Sequence, residues 1–342
     1  MSLPRSTRHA SAQRSEAFDT TIRLDLTHNP YGPCPAASEA VEAGRESRPE
    51  PLVASFRRRL SEVYRVPVGS IYPLGNVDSA IRALASRHMG PLIDFPPATI
   101  ASLVAESRAR FDAVSIARGA CGDAVVGPDF ASDIPAHGLA IIDSPSNPLG
   151  SIISPADVVR LSRACSCVVV DERFAEFSEF SILPLALELD NVIVMRSFAS
   201  WSGLPEISCA WAVAPPGLAK VFELATTVVR PEAIAGAMAT LENQATVAAT
   251  LKLVREERSR LYRFLRRLSF VEPLPSWGPF ITGRVTIASR QDVIDGLAKR
   301  GIRIHVAEEP GLEDYVRIGI GSRTAMERLR AALLELGPEL VA

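Results

Sequence analysis

A chain of 342 residues, 47% apolar and with a formal net charge of −2, is long enough to bury a full core and suits one large domain plus a smaller one. It carries no basic excess for nucleic acid and no acidic run for a solvating tail, and no apolar stretch is long and charge-free enough to span a membrane. The five cysteines, at 34, 121, 165, 167 and 209, are odd in number and scattered, which points to reduced thiols in a cytoplasmic protein. Cys165-Ser166-Cys167 stands without a second pair or nearby histidines, so no metal is expected.

Residues 1–20, rich in Ser, Arg and Thr without an apolar segment, read as part of a flexible N-terminal arm (1–30) rather than a secretory signal. Leu24-Asp25-Leu26 alternates and runs into Asn29-Pro30-Tyr31-Gly32-Pro33, a short strand followed by a loop. From Leu52 to Tyr64 the apolar positions keep helical spacing with arginines opposite. Gly75-Asn76-Val77-Asp78-Ser79 then precedes a helical run from Ala80; on its own it reads equally as an acid-capped helix start. Leu139–Asp143 reads as a strand before Ser144-Pro145-Ser146-Asn147-Pro148-Leu149-Gly150, and Cys167–Val170 as a β-branched strand ending in Asp171-Glu172. Val192–Met195 and Cys209–Ala214 read as two more strands around a Ser- and Gly-bearing loop. Alternating strands and helices predict a mostly parallel sheet covered on both faces within a large domain, 31–225. Ile234–Leu268 reads as an inter-domain helix opening a small α+β domain, 226–342. Its strands are expected at Val285–Ile287 and Tyr315–Ile320, its helices at Gln291–Lys299 and Ala325–Leu336.

These segments resemble fold-type I aminotransferases, most closely the histidinol-phosphate aminotransferase and threonine-phosphate decarboxylase group. Asn29-Pro30-Tyr31-Gly32-Pro33 is similar to a family segment on the substrate side, and 145–150 to a Pro-Asn-Asn-Pro-Thr-Gly loop. Asp171-Glu172-Arg173-Phe174-Ala175-Glu176-Phe177 resembles Asp-Glu-Ala-Tyr-x-Glu-Phe, and Arg196-Ser197-Phe198-Ala199-Ser200 resembles Arg-Thr-Phe-Ser-Lys. The resemblance implies an α/β fold with a mostly parallel seven-stranded sheet, pyridoxal phosphate as cofactor, and a homodimer with active sites between subunits. It places Asp171 at the carboxylate that keeps the pyridine nitrogen protonated, and Asn147 at the residue bonding the ring hydroxyl. It places Asn76 and Val77 at the helix start that holds the phosphate, and Ser197 in the cofactor loop. Arg317 falls at the arginine that grips the substrate's acidic group, where an internal carboxylate partner is the structural alternative. Asn29, Tyr31, Trp201 and Arg48 fall on the substrate side.

The departures are several. Ser200 stands at the lysine that forms the Schiff base, Ala199 and Ser208 at phosphate ligands, Phe174 at a tyrosine, His305 at a second arginine and Pro279 at an asparagine. No aromatic stands at 97–100. The remaining lysines are 220, 252 and 299, none placed to reach the 197–203 loop, and a serine hydroxyl cannot form an aldimine. The expectation is a diverged protein without a covalent cofactor link. It would transform a small anionic metabolite without a lysine, with Ser200, Asp171 and His305 as acid–base candidates. The alternatives are a non-catalytic regulatory subunit, or an enzyme holding pyridoxal or pyridoxamine phosphate non-covalently.

Overall fold

The computed structural model describes residues 21–45, 49–95, 113–115, 134–204, 206–218, 222, 229–309 and 311–341. The chain begins with β1 (Ile22–Leu24), α1 (Pro35–Gly44), α2 (Pro49–Tyr64), β2 (Ile71–Leu74), α3 (Val77–Arg87), β3 (Leu92–Asp94) and β4 (Ala113–Ser115). It continues through β5 (Leu139–Asp143), α4 (Pro155–Ala164), β6 (Cys167–Asp171), β7 (Val192–Ser197) and β8 (Ala210–Val213). Then come α5 (Pro231–Glu242), α6 (Gln244–Leu265), β9 (Val271–Pro273), β10 (Phe280–Val285), α7 (Arg290–Lys299), β11 (Ile302–Val306), β12 (Tyr315–Gly319) and α8 (Arg323–Val341).

A seven-stranded sheet runs β2-β8-β7-β6-β5-β3-β4, and a five-stranded sheet runs β1-β11-β12-β10-β9. In the larger sheet only β8 opposes its neighbours; β7, β6, β5, β3 and β4 are mutually parallel. Its central strands are apolar at nearly every position because both faces are covered. Leu139, Ile141, Val169, Ile193 and Met195 join a core with Val77, Ile81 and Leu84 of α3. The residues between them (Ala140, Ile142, Val168, Val170, Val194) join the other core, with Val158 and Leu161 of α4 and the apolar faces of α2, α5 and α6. This is the two-residue period of a pleated strand read onto two layers. The helices begin where local chemistry lets them: Ser154 accepts from Asp157 N at 3.1 Å ahead of α4, and Ser289 and Asp292 form a reciprocal cap on α7.

The expected helix Ile234–Leu268 is two helices, separated at Asn243, whose φ −105° and ψ 36° leave the helical range. The strand expected at Val285–Ile287 lies earlier, at β10, because its pairing with β12 runs Phe280↔Gly319 to Arg284↔Tyr315. The segment read as an N-terminal arm contributes β1, which pairs in parallel with β11; residues 1–20 lie outside the described residues. Among the described residues no helix is long and apolar enough to cross a membrane. Parallel β5, β6 and β7 end side by side, with Asp143 facing Asp171 and Asp171 facing Met195. The carboxyl edge of such a sheet is where open α/β folds place ligands.

Candidate functional site

The loop after β7 is fastened to the N-terminal segment. Asn29 is 1% exposed; its N–H donates to the Ser200 carbonyl at 2.8 Å. Its side-chain amide donates to the Trp201 carbonyl at 3.1 Å and Thr250 Oγ1 at 2.8 Å. Its Oδ1 accepts from Tyr31 N at 3.1 Å. Gly203, at φ +77°, lies so close to the same segment that a Cβ would meet the Gly32 backbone at 2.1 Å. Ser197 Oγ accepts from Ala199 N at 3.1 Å. Trp201 is buried beside Phe198, ring centroids 5.1 Å apart. Asn29, Ser197 and Trp201 thus hold the loop in shape. Tyr31 is half-buried; burial and the neighbouring Glu257 raise its phenol pKa against the opposing Arg323 backbone.

Arg317 occupies the middle of β12, in register with Thr282 on one side and His305 on the other. It is 5% exposed. Nη1 donates to Asn147 Oδ1 at 2.5 Å and Nη2 to the Asp25 backbone carbonyl at 2.9 Å, while Nε has no partner. The guanidinium sits 5.4 Å from the Phe280 ring centroid. No carboxylate among the described residues lies within ion-pair distance, so the internal carboxylate considered from sequence is replaced by two neutral oxygens. Burial lowers the Arg317 pKa to about 10, opposed by Glu309 and Asp25, which leaves it a cation at neutral pH. Burial, and then the Arg317 charge, hold His305 below its usual value. The structure therefore unites Asn147, His305 and Arg317, from three separate motifs. Asn147 is itself positioned by its N–H, which donates to Asp143 Oδ2 at 2.8 Å.

Asp171, 1% exposed at the end of β6, is held differently. Its Oδ1 accepts from Arg173 N at 3.0 Å and its Oδ2 from Arg173 Nε at 2.7 Å. Arg173 Nη2 is also in contact with Asp171 Oδ2 and donates to Asp78 Oδ1. Asp78 lies in the first turn of α3, whose cap residue Asn76 accepts from Ser79 N at 3.1 Å through its side chain; Val77 is buried. Burial works against the charge on Arg173, but Asp171 and then Asp78 outweigh it and push its pKa up. Phe174 is buried edge-on to Phe280, centroids 5.8 Å apart.

Behind this edge, Arg196 joins Glu172 and Glu176, each at 2.9 Å, and Tyr64 donates to Glu176 at 3.2 Å. Sequence reasoning passed over Arg173, although a basic residue directly after Asp171-Glu172 was its signal. Ser200 is half-buried. No hydrogen bond joins any two of Ser200, Asp171 and His305 among the described residues. Lys252 and Lys299 are exposed on α6 and α7; Lys220 and Arg48 lie outside the described residues. No group of three His, Cys, Asp or Glu side chains among the described residues could hold a metal ion.

A family model described as aminotransferase class I and II matches residues 129–333, well over half of the chain. A histidinol-phosphate aminotransferase of Dehalococcoides mccartyi is 26% identical over 323 residues, covering 92% of this chain and 90% of the relative. The solved histidinol-phosphate aminotransferase of Clostridium acetobutylicum superposes with a TM-score of 0.82 at 15% identity, covering 93% of this chain and 99% of that one. The Sinorhizobium meliloti enzyme of the same name, solved with pyridoxal-5'-phosphate, gives 0.80 at 20% identity, covering 93% and 91%. The two structures share the fold of this chain, with its mixed sheet and flanking helices. By the matched family model, the chain belongs to the class I and II aminotransferase family.

Proposed function

We propose that this protein is a family member that works without a Schiff-base lysine: it binds a small anionic metabolite, amino-acid-like or phosphorylated, and does not carry out conventional transamination. The observation that carries this reading is Arg317. A guanidinium 5% exposed, with an idle Nε and only neutral partners, is a costly arrangement for a folded core. A carboxylate or phosphate arriving at it gains charge-assisted, fork-like hydrogen bonds. Asn147 and His305 stand beside it as polar neighbours. In this reading the protein is a cytoplasmic homodimer with its sites between subunits, and 31–225 and 226–342 are its two domains.

The residues do not fit pyridoxal phosphate as the family holds it. A Schiff base needs a primary amine, and Ser200 supplies a hydroxyl. The carboxylate that would favour a protonated ring nitrogen already accepts from Arg173 through both oxygens. Calorimetric titration with amino acids, 2-oxo acids and phosphate monoesters tests the reading. At least one carboxylate should bind the native chain, and Arg317→Ala should weaken it tenfold or more. No binding across the panel, or equal binding by the variant, overturns it.

A second reading, a non-catalytic binding or regulatory subunit, is favoured by a specific observation: the three acid–base candidates share no hydrogen bond. Turnover of a bound metabolite by the purified chain would exclude this second reading.

A further inference from the structure

We infer that Arg173 is a built-in occupant of the family's cofactor position, joining the two anchors of that position to each other and shutting pyridoxal phosphate out. Two points define where the family group would lie. Its ring nitrogen would meet the carboxylate of Asp171, and its phosphate would meet the first amides of α3. The Arg173 guanidinium contacts Asp171 at the first point and, next to the second, the side chain of Asp78 in the first turn of α3. Any group spanning the two anchors must displace it.

Three features make displacement unfavourable, each on different atoms. Asp171 is 1% exposed and accepts from Arg173 Nε and from its backbone N–H, with Nη2 also against Oδ2. The backbone bond would survive displacement, but a ring N–H could offer only one bond in exchange for the Nε bond and the Nη2 contact. At the other anchor, Asp78 brings a carboxylate of this chain into the first turn of α3. There it takes the benefit of the helix dipole that an incoming phosphate would use, and it repels that phosphate. Asn76 in turn takes the Ser79 N–H at 3.1 Å, one of the donors a bound anion needs. The chain supplies its own cation and its own anion at the two anchors.

The loss of the lysine at Ser200 and the gain of Arg173 are thus two separate barriers, and restoring the amine alone does not reopen the site. This inference rests on Asp171, Arg173 and Asp78, not on Arg317, so it and the metabolite reading can fail independently.

The test uses the full chain in four forms: native, Ser200→Lys, Arg173→Ala and the double variant, each equilibrated with pyridoxal phosphate and dialysed. Retained cofactor and the visible aldimine band are measured. The native chain and Ser200→Lys should retain less than a tenth of an equivalent and show no band, while the double variant should retain at least tenfold more than Ser200→Lys and show the band. Because Arg173→Ala leaves a buried carboxylate and can fail to fold, a second measurement uses the native chain alone. The Arg173 Nε–H resonance should be unmoved by millimolar pyridoxal phosphate, and equally unmoved by inorganic phosphate. A stoichiometric aldimine in Ser200→Lys overturns the inference. So does a shifted Arg173 signal, or native binding that Arg173→Ala abolishes, since Arg173 would then be a ligand of the cofactor.

Discussion

Arg317 and Arg173 are two guanidiniums with opposite electrostatic accounts. Arg173, with 28% of its side chain exposed, contacts two carboxylates. Arg317, 5% exposed, meets an amide oxygen and a backbone carbonyl and leaves Nε idle. The more deeply buried charge is the less well compensated, the reverse of what stability alone would select. A cation saturated by its own chain reports a closed structural network; one left short of anions reports a place for something else.

Four measurements break or sharpen that contrast. The largest effect is expected from Arg173→Ala, which strands a carboxylate that is 1% exposed and should cost about 3–5 kcal/mol in denaturant unfolding. A loss below about 1 kcal/mol would show that Arg173 does not hold Asp171. Next comes Gly203→Ala, a control touching neither arginine. Its Cβ would fall 2.1 Å from the Gly32 backbone at φ +77°, at a cost of about 2–3 kcal/mol that should appear equally with and without ligand.

Arg317→Ala inverts the Arg173 pattern. Stability should change by about 1 kcal/mol, since only neutral partners are lost, while carboxylate affinity should fall by about 2 kcal/mol, roughly thirtyfold. A large stability loss without an affinity change would assign Arg317 to the core. The smallest effect concerns pH. His305 is held below the free value of 6.5 by burial and by Arg317, so below that pH the unfolded chain binds the proton more readily than the folded one. Stability therefore falls as pH drops through and below 6.5, and His305→Gln should flatten that acid limb in thermal unfolding.

Legibility in the sequence followed the range of the interactions. Strands β5 and β6 could be read from their β-branched runs because both faces are apolar, and their ends at Asp143 and Asp171 fell where expected. Arg317 was legible as an arginine inside an apolar strand, a residue that needs an explanation wherever it occurs. The paired state of Arg173 was not legible. One partner is two residues back, but the other, Asp78, is 95 positions away and arrives only when α3 docks on the sheet. Asn243 splits an otherwise continuous helical period with one residue. β10 reads poorly because Gly283 interrupts its run, and β2 because it contains Pro73; both are strands by virtue of their partners.

The pairing of β1 with β11 has a consequence for how the molecule comes into being. Ile22 and Leu24, near the start of the chain, are matched to Ile302 and Ile304, near its end. Asp25, just beyond, supplies the carbonyl that Arg317 holds. During synthesis the first of these residues must wait, unpaired, until residues 302–304 have left the ribosome. The larger sheet can close well before that, but the surroundings of Arg317 cannot, because Asp25 beside it follows β1, while Arg317 itself follows β11. Such long-range closure is slow, and until it occurs the edge of β11 is open to any other strand. The surroundings of Arg317 are therefore complete only once β1 and β11 have met.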